Sequence, residues 1–300
     1  MPFGLLNISK PAALSSRDVV NRVQRIVRPA RAGHAGTLDP LATGVLVVCI
    51  GPATRLVPYV QRMSKRYLAT FQLGRYSDTE DIEGQVIEVA DARVPQLNEL
   101  ATALQQHIGT IEQRPPAYSA LKVEGQRAYA RARRGESLDL TPRAVRIDSI
   151  ELLAYNYPEL RLEVTCGSGT YIRSLGRDIA AAVGTGAVMS GLVRTAIGPF
   201  AVECAVTLAQ IADHGIEPYL LNPLQAVPDL PCIQVTPSQV VELSHGRPLD
   251  LNQADGITEI VATDAADRLL ALLTQRPDGH WWPFRNFLAA SWPQGNESTP

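Results

Sequence analysis

The feature of this sequence that most limits its possible folds is a short apolar run, Val-Leu-Val-Val-Cys-Ile, at residues 45–50. The run is too short for a core helix, most of its residues are β-branched, and Gly51-Pro52 ends it, so we predict a strand buried on both faces. A strand at residues 3–8 and a helix that starts at Ser15 or Ser16 are predicted to precede it. Valine and isoleucine follow these possible N-cap serines at helical spacing, up to Pro29.

Strand-like and helix-like segments then follow one another without the regular alternation of a parallel βαβ fold. We predict further strands at 65–71, 85–89, 143–154, 159–166, 187–194 and 199–203, and further helices at 54–61, 95–107, 126–134 and 170–183. This order predicts an α+β fold, with a mixed, mainly antiparallel central sheet and flanking helices.

The chain of 300 residues suits one large and one small domain. Four prolines between residues 218 and 231 mark a candidate boundary. We therefore expect a large catalytic domain at residues 1–228 and a small β-rich domain at residues 229–300.

The cysteines and the N-terminus indicate the compartment. The four cysteines are far apart in the sequence, the first residues do not resemble a signal peptide, and no apolar stretch reaches the ~18 residues of a membrane span. We expect reduced thiols in a cytoplasmic protein that is not bound to a membrane. Because cysteine and histidine do not cluster, we expect no metal site.

Charge is unevenly distributed, although the net charge is only -2. Residues 1–66 hold ten basic and two acidic side chains, a net charge of +8, and residues 114–147 hold eight against three, a net charge of +5. Residues 228–300 hold four against nine, a net charge of -5. Two arginine-rich segments are typical of a surface that binds a polyanion, although solvated surface arginines give the same pattern.

A loop with three glycines, at residues 31–44, leads into the predicted buried strand and contains His34 and Asp39. It lacks the Lys-Ser/Thr of a P-loop, and the chain has no G-x-G-x-x-G, which argues against a nucleoside triphosphate site. An aspartate before proline is usually a turn residue, so this loop alone leaves open whether Asp39 reacts.

Residues 33–46, GHAGTLDPLATGVL, resemble the signature of the TruB family of tRNA pseudouridine synthases. Four other segments also resemble motifs of that family, in the same order along the chain. They are residues 4–16, 65–84, 113–125 and 166–175, and the tetrapeptide Leu-Val-Arg-Thr at 192–195 extends the resemblance. Two departures are Ala13, where the family commonly has glycine, and Val193, where it has arginine.

The resemblance implies the pseudouridine synthase fold and the isomerisation of one uridine, at position 55 in the T-loop of tRNA. This reaction has no redox or phosphate-transfer step, so no cofactor or metal is expected. The implied catalytic residues are Asp39 as the carboxylate, Arg173 as its ionic partner and Tyr67 as the ring that stacks on the flipped base. Implied substrate-binding residues are His34, Asp81, Lys122, Tyr171 and Leu192.

The resemblance becomes weak beyond residue 230, where the family usually has a small PUA or PUA-like β-domain. Residues 243–249 are similar to the start of such a domain, but the net charge of -5 over 228–300 does not favour phosphate binding. We expect a monomer that acts on tRNA with no obligatory protein partner.

Three alternative functions remain open at this point. A guide-dependent pseudouridine synthase shares the catalytic loop but works within an RNA–protein particle. A non-catalytic RNA chaperone would use the same fold and would not need Asp39. A glycoside hydrolase would need a second carboxylate beside the first, and the matched motifs place none there.

Overall fold

The computed structural model describes residues 2–288 except 120, 124–125, 133, 135, 137–139 and 253–255. Its strands are β1 (Gly4–Lys10), β2 (Ala32–His34), β3 (Thr43–Ile50), β4 (Lys65–Leu73), β5 (Arg75–Tyr76), β6 (Ile87–Glu88), β7 (Gly109–Gln113), β8 (Lys122–Val123), β9 (Gln126–Arg127), β10 (Arg143–Asn156), β11 (Glu159–Cys166), β12 (Ala187–Ile197), β13 (Phe200–Ala201), β14 (Cys232–Gln234), β15 (Glu259–Thr263), β16 (Leu269–Gln275) and β17 (Trp281–Asn286). Its helices are α1 (Ser16–Val27), α2 (Val57–Arg62), α3 (Leu97–Gln106), α4 (Ala128–Ala132), α5 (Ile172–Ala182), α6 (Leu208–His214) and α7 (Pro237–Ser244).

The large sheet has the order β1-β3-β12-β4-β11-β10-β7, with β2 on β3 and β13 on β12. Its neighbouring strands are antiparallel, apart from the parallel pair β3 and β12. The prediction of a mixed, mainly antiparallel sheet with flanking helices is therefore confirmed.

Strand β3 is buried on both faces, as its apolar run predicts. Leu46, Val48 and Ile50 lie in one cluster with the buried valines of α1, whereas Val45 and Val47 lie in a second cluster on the opposite face. Adjacent side chains of a strand point to opposite faces, so a run without polar residues requires cover on both.

Helix α1 begins where the sequence predicts. The Asp18 amide donates to the Ser15 hydroxyl over 3.2 Å, and the Ser15 amide donates to the Asp18 carboxylate over 3.0 Å. This reciprocal capping box supplies partners to amides that the first helical turn leaves without intrahelical acceptors. The cap also fixes the direction in which α1 leaves the sheet.

Helix α5 lies directly on β4. A Cβ added to Gly176 would be 2.0 Å from the ring of Phe71 on β4, so only glycine permits this approach. Ile172, Leu175 and Ile179 of α5 share an apolar cluster with the sheet. The close contact sets the height of the whole helix above the sheet, including its first turn.

The second sheet has the order β14-β15-β16-β17 and confirms a small β-rich C-terminal unit. It shares an apolar cluster with the large sheet, in which the rings of Phe3 and Phe287 stack with centroids 5.4 Å apart. Arg55 lies over the Phe287 ring and donates to the Asn286 carbonyl over 2.6 Å. A domain boundary at 228/229 stays a prediction.

Several local predictions differ from the structure. Residues 126–127 pair with 122–123 in a hairpin before α4, whereas a continuous helix was predicted over 126–134. The predicted strand 85–89 is reduced to Ile87–Glu88, and β2, α6 and α7 were not predicted. No helix in the described part of the chain is long and apolar enough to cross a membrane.

Candidate active site

Asp39 lies on the loop that joins β2 to β3, and buried polar groups from other elements hold this loop. The Leu38 amide donates to the Ser16 hydroxyl over 2.8 Å, and that hydroxyl donates to the Leu38 carbonyl over 3.1 Å. The ammonium of Lys10, fully buried, donates to the carbonyls of Leu14 and Pro40 over 2.6 and 3.3 Å. Burial lowers the pKa of Lys10 to about 8. The backbone on both sides of Asp39 is thereby fixed.

Arg194 holds the other end of the loop. Its guanidinium is 1% exposed and donates to the carbonyls of Val45 and Gly36 over 2.7 and 3.1 Å. Gly44 adopts a φ of +96°, and an added Cβ would lie 2.2 Å from the Arg194 carbonyl oxygen. The conformation and the close approach both require glycine here, which accounts for the Thr-Gly-Val segment of the signature.

Arg173 joins two carboxylates. Its Nε lies 3.0 Å from an Asp39 oxygen, and its Nη1 lies 3.5 Å from an Asp81 oxygen. The same guanidinium donates to the Thr79 and Tyr118 carbonyls over 2.6 and 3.0 Å. Arg173 and Asp81 are almost fully buried, whereas the Asp39 side chain is 35% exposed. Asp81 therefore lies on the buried side of Arg173, and Asp39 lies on its solvent side.

The pKa of Asp39 reflects this mixed environment. Burial raises the pKa of Asp39 above its ordinary value, the Arg173 guanidinium opposes that rise, and the charge of Asp81 reinforces it. Asp81 itself accepts from the Thr79 hydroxyl over 2.5 Å and from the Glu83 amide over 3.0 Å. Asp81 thus holds Arg173 in place from the side opposite Asp39.

A cavity of about 400 Å³ opens in front of Asp39, within the usual size range of small-molecule sites. Tyr67 on β4, Leu192 on β12 and Tyr171 before α5 line it together with Asp39 and Arg173. Burial raises the pKa of the Tyr67 phenol. Thus five of the predicted site residues are brought together around one cavity.

The other predicted site residues, His34, Asp81 and Lys122, are not among the described residues that line this cavity. His34 is half-buried on β2, next to the loop, and its Nδ1 has no hydrogen-bond partner among the described residues. Burial lowers the pKa of His34, and the charges of Arg17 and Arg194 lower it further. The Lys122 side chain lies outside the described part of the chain, although its backbone forms β8.

The sequence interpretation missed the residues that position the loop. Lys10, Ser16 and Arg194 all lie within the segments that resemble family motifs, but no role in the site was assigned to them. Gln113 was also missed: it accepts from the Tyr171 amide over 2.8 Å and donates to the Tyr171 carbonyl over 3.1 Å. The sequence did contain a signal for these positioning residues: each is a polar residue inside a motif for which no contact with the substrate was expected.

A larger cavity, of about 580 Å³, lies at the junction of the two sheets, beside Phe3, Asp264 and Phe287. No residue predicted for the site lines it, so the chemistry points to the smaller cavity. Among the described residues, His, Cys, Asp and Glu form no group of three or more that could hold a metal ion.

Comparison with solved structures places the chain in a structural class. The protein in "Crystal Structure of a Cbf5-Nop10-Gar1 Complex" superposes with a TM-score of 0.69 at 30% identity, over 91% of this chain and 78% of that one. The protein in "Structure of H/ACA RNP bound to a substrate RNA containing 2'-deoxyuridine" gives 0.67 at 28% identity, over 91% and 78%. The fold is that of a pseudouridine synthase.

Sequence relatives then give the family. The model of the TruB family pseudouridylate synthase N-terminal domain matches residues 24–172, and that of the tRNA pseudouridylate synthase B C-terminal domain matches residues 173–224. Curated tRNA pseudouridine synthases B from Rhodopirellula baltica and Dehalococcoides mccartyi are 41% and 37% identical, over 82% and 96% of this chain and 75% and 97% of their own length. The chain belongs to the TruB family and is an isomerase of the pseudouridine synthase class.

Proposed function

We propose that this protein converts the uridine at position 55, in the T-loop of tRNA, to pseudouridine. The names of its curated relatives support tRNA as the substrate. The loop that carries Asp39, held from both ends by buried polar groups, supports a reaction centred on that carboxylate. The reaction breaks the N1–C1′ bond, turns the uracil and joins C5 to C1′, so substrate and product have the same composition.

A single carboxylate in the lining of the cavity is the observation that carries this proposal. Asp39 is the only acidic residue among the described residues that line the cavity. Its carboxylate attacks C1′, attacks C6 or removes a ribose 2′ proton, and each route starts from the ionised form. Arg173, at 3.0 Å, stabilises that form against the effect of burial.

Entry of the uridine into this cavity requires base flipping, because a base stacked inside a folded loop cannot reach the carboxylate. The Tyr67 ring provides the stacking surface for the extruded uracil, and Leu192 packs from the neighbouring strand. His34 lies beside the loop on β2 and supports the RNA from which the base leaves. Asp81 acts through Arg173, and Lys122 and Tyr171 belong to the surrounding RNA-binding shell.

A glycoside hydrolase is disfavoured by the position of the second carboxylate. Such enzymes place two carboxyl groups on either side of the scissile bond, about 5–9.5 Å apart. Asp81 instead lies behind Arg173 and is 4% exposed, so it does not reach a ligand in the cavity. The cavity supports chemistry with one carboxylate.

We propose further that the protein is a cytoplasmic monomer that acts on free tRNA without a guide RNA. The two similar structures are of multi-component assemblies, but the curated relatives from Rhodopirellula baltica and Dehalococcoides mccartyi have higher identity to this chain. We also propose that residues 229–300 form a PUA-like domain that adds little affinity for tRNA, since 228–300 has a net charge of -5. A tenfold weaker tRNA affinity in an Arg247→Gln, Arg268→Gln, Arg276→Gln variant would contradict this last point.

The test uses an unmodified tRNA transcript with no other macromolecule present. Wild-type protein, Asp39→Asn and the control Asp213→Asn, which changes an exposed aspartate of α6, are compared by carbodiimide labelling and primer extension. We expect one strong stop in the T-loop for wild type and for the control, and none for Asp39→Asn. A stop with Asp39→Asn would refute the role of the carboxylate. No stop with wild type, while RNA binding persists, would favour the chaperone or the guide-dependent enzyme.

A further inference from the structure

The exposed face of α1 and the segment that follows the helix carry five exposed arginines. Their guanidinium groups make no ion pair and no side-chain hydrogen bond to any described residue. We call this set the α1 arginine stripe: Arg17, Arg22, Arg25, Arg28 and Arg31. Some exposed arginines elsewhere are paired with a carboxylate, for example Arg93 with Glu99 and Arg268 with Asp264, whereas Arg66, Arg143 and Arg161 are exposed without an ion pair to a described residue. The segment 17–31 is distinguished by the number of such arginines, five within fifteen residues.

The helical spacing arranges these arginines along the axis of α1. Arg17, Asn21 and Arg25 follow one another at intervals of four residues and so share one side of the helix, and Arg22 lies three residues before Arg25. Arg28, the C-cap, and Arg31 follow the helix. A helix of twelve residues is about 18 Å long, so the stripe extends over that length. Asp18 is the one acidic residue between positions 15 and 31, and it is engaged in the capping box.

The stripe starts at the catalytic loop. Ser16, the residue before Arg17, exchanges hydrogen bonds with Leu38, next to Asp39. At the other end of α1, Gln24 donates to the Ala30 carbonyl over 2.5 Å and accepts from the Ala32 amide over 2.8 Å, which ties the helix to β2. Helix, β2 and catalytic loop thus form one connected unit, and Arg17 is close enough to lower the pKa of His34, after burial.

We propose that the α1 arginine stripe binds the phosphate backbone of the same RNA whose uridine enters the cavity. The bound part of the RNA is the part that extends from the cavity past His34 and along α1. This inference rests on the proposed function. The stripe contains no aromatic side chain on which a base could stack, so its contacts are with phosphates and do not depend on base sequence. An arginine that is not held in an ion pair with a carboxylate is available to a phosphate.

The experiment measures equilibrium binding of full-length tRNA transcript between 50 and 400 mM salt, and steady-state turnover at one salt concentration. The test variant is Arg22→Gln, Arg25→Gln, Arg28→Gln, which spares Arg17 beside the catalytic loop. The control is Arg75→Gln, Arg93→Gln, Arg247→Gln, three arginines that are each paired with a carboxylate. Both variants lose three positive charges, so a general loss of charge affects them equally. Circular dichroism and the unfolding midpoint establish that both are folded.

For the test variant we expect the slope of log Kd against log salt to fall by about 2–3, because each phosphate contact contributes roughly 0.7–0.9. KM for tRNA should rise about tenfold at 0.1 M salt with kcat unchanged, since the cavity is intact. The control should change neither quantity by more than about twofold. An unchanged slope and KM in the test variant, or equal losses in test and control, would overturn the inference. Wild-type protein that binds RNA but makes no pseudouridine would contradict the proposed function and leave the slope comparison valid.

Discussion

The ion pair between Arg173 and Asp39 can be removed by replacing either residue, and the two replacements are expected to change the free energy of unfolding differently. Arg173 is 5% exposed and Asp81 is 4% exposed, whereas the Asp39 side chain is 35% exposed. Replacing Arg173 with methionine leaves two carboxylates facing each other and removes the donor from two carbonyl groups. Breaking a buried pair in this way costs about 3–5 kcal/mol of the free energy of unfolding.

Removing the same contact from the other end is expected to cost little. After Asp39→Asn, Arg173 keeps Asp81 at 3.5 Å and both of its carbonyl acceptors. The partly exposed pair that is lost is worth about 0–1 kcal/mol. Its loss is offset because burial and Asp81 raise the pKa of Asp39, so the ionised carboxylate destabilises the folded state. We therefore expect Asp39→Asn to be inactive and at least as stable as wild type.

The stability difference between Asp39→Asn and wild type should depend on pH, in a direction that follows from the raised pKa of Asp39. A carboxyl group with a raised pKa binds its proton more tightly in the folded state, so wild type loses stability as the pH rises from the ordinary aspartate value of 3.8 through the raised pKa of Asp39. Asp39→Asn lacks this loss, so its stability relative to wild type should rise over the same interval and stay constant above it.

Urea unfolding at several pH values, followed by circular dichroism, measures both variants. The slope with denaturant should be the same as for wild type, so that the midpoints report stability. The reasoning would be refuted by a loss of more than about 2 kcal/mol in Asp39→Asn at pH 7, or by a loss below about 1 kcal/mol in Arg173→Met.

Three further changes test other parts of the structure. Ala13→Gly should stabilise the protein by about 0.5–1 kcal/mol, because Ala13 has a φ of +64°, and an unchanged or lower urea midpoint would contradict this. Gly176→Ala should lower stability by about 1–3 kcal/mol and reduce kcat, since its Cβ would meet the Phe71 ring at the helix that carries Arg173. Adding Phe71→Leu should restore part of both losses in thermal unfolding and turnover. Asp81→Asn should lower the pKa of Asp39 and move the acid limb of the kcat–pH profile to lower pH, whereas an unmoved limb would show that Asp81 does not act on Asp39.

Local patterns in the sequence were sufficient for much of the fold. The apolar run of β3 and the serine before α1 each carry their own physical signal, through burial and through capping. Strand β2 was missed because Ala-Gly-His at 32–34 has no apolar alternation, and its extended form depends on pairing with β3. The insertion of β12 between β3 and β4 was not predicted either, since periodicity contains no information on long-range pairing.

For the site, the family resemblance identified residues better than it identified roles. The partner of Asp39 was predicted and is found at 3.0 Å, but the position of Asp81 behind Arg173 required the structure. Arg194 joins the loop from more than 140 residues away along the chain, a proximity that no local pattern reports. Ala13, noted only as a departure from the family, proves to occupy a left-handed conformation that accounts for the common glycine.

The stacking of Phe3 on Phe287 links the completion of this core to the order of protein synthesis. A ribosome that adds about 5–20 residues per second produces the second ring roughly 15–60 s after the first. During that interval the apolar face of β1 that Leu5 belongs to lacks the cover that β15, β16 and Phe287 later provide. A nascent chain, and any product terminated before Phe287, therefore lacks part of the cover of this cluster and presents that apolar surface to chaperones and proteases.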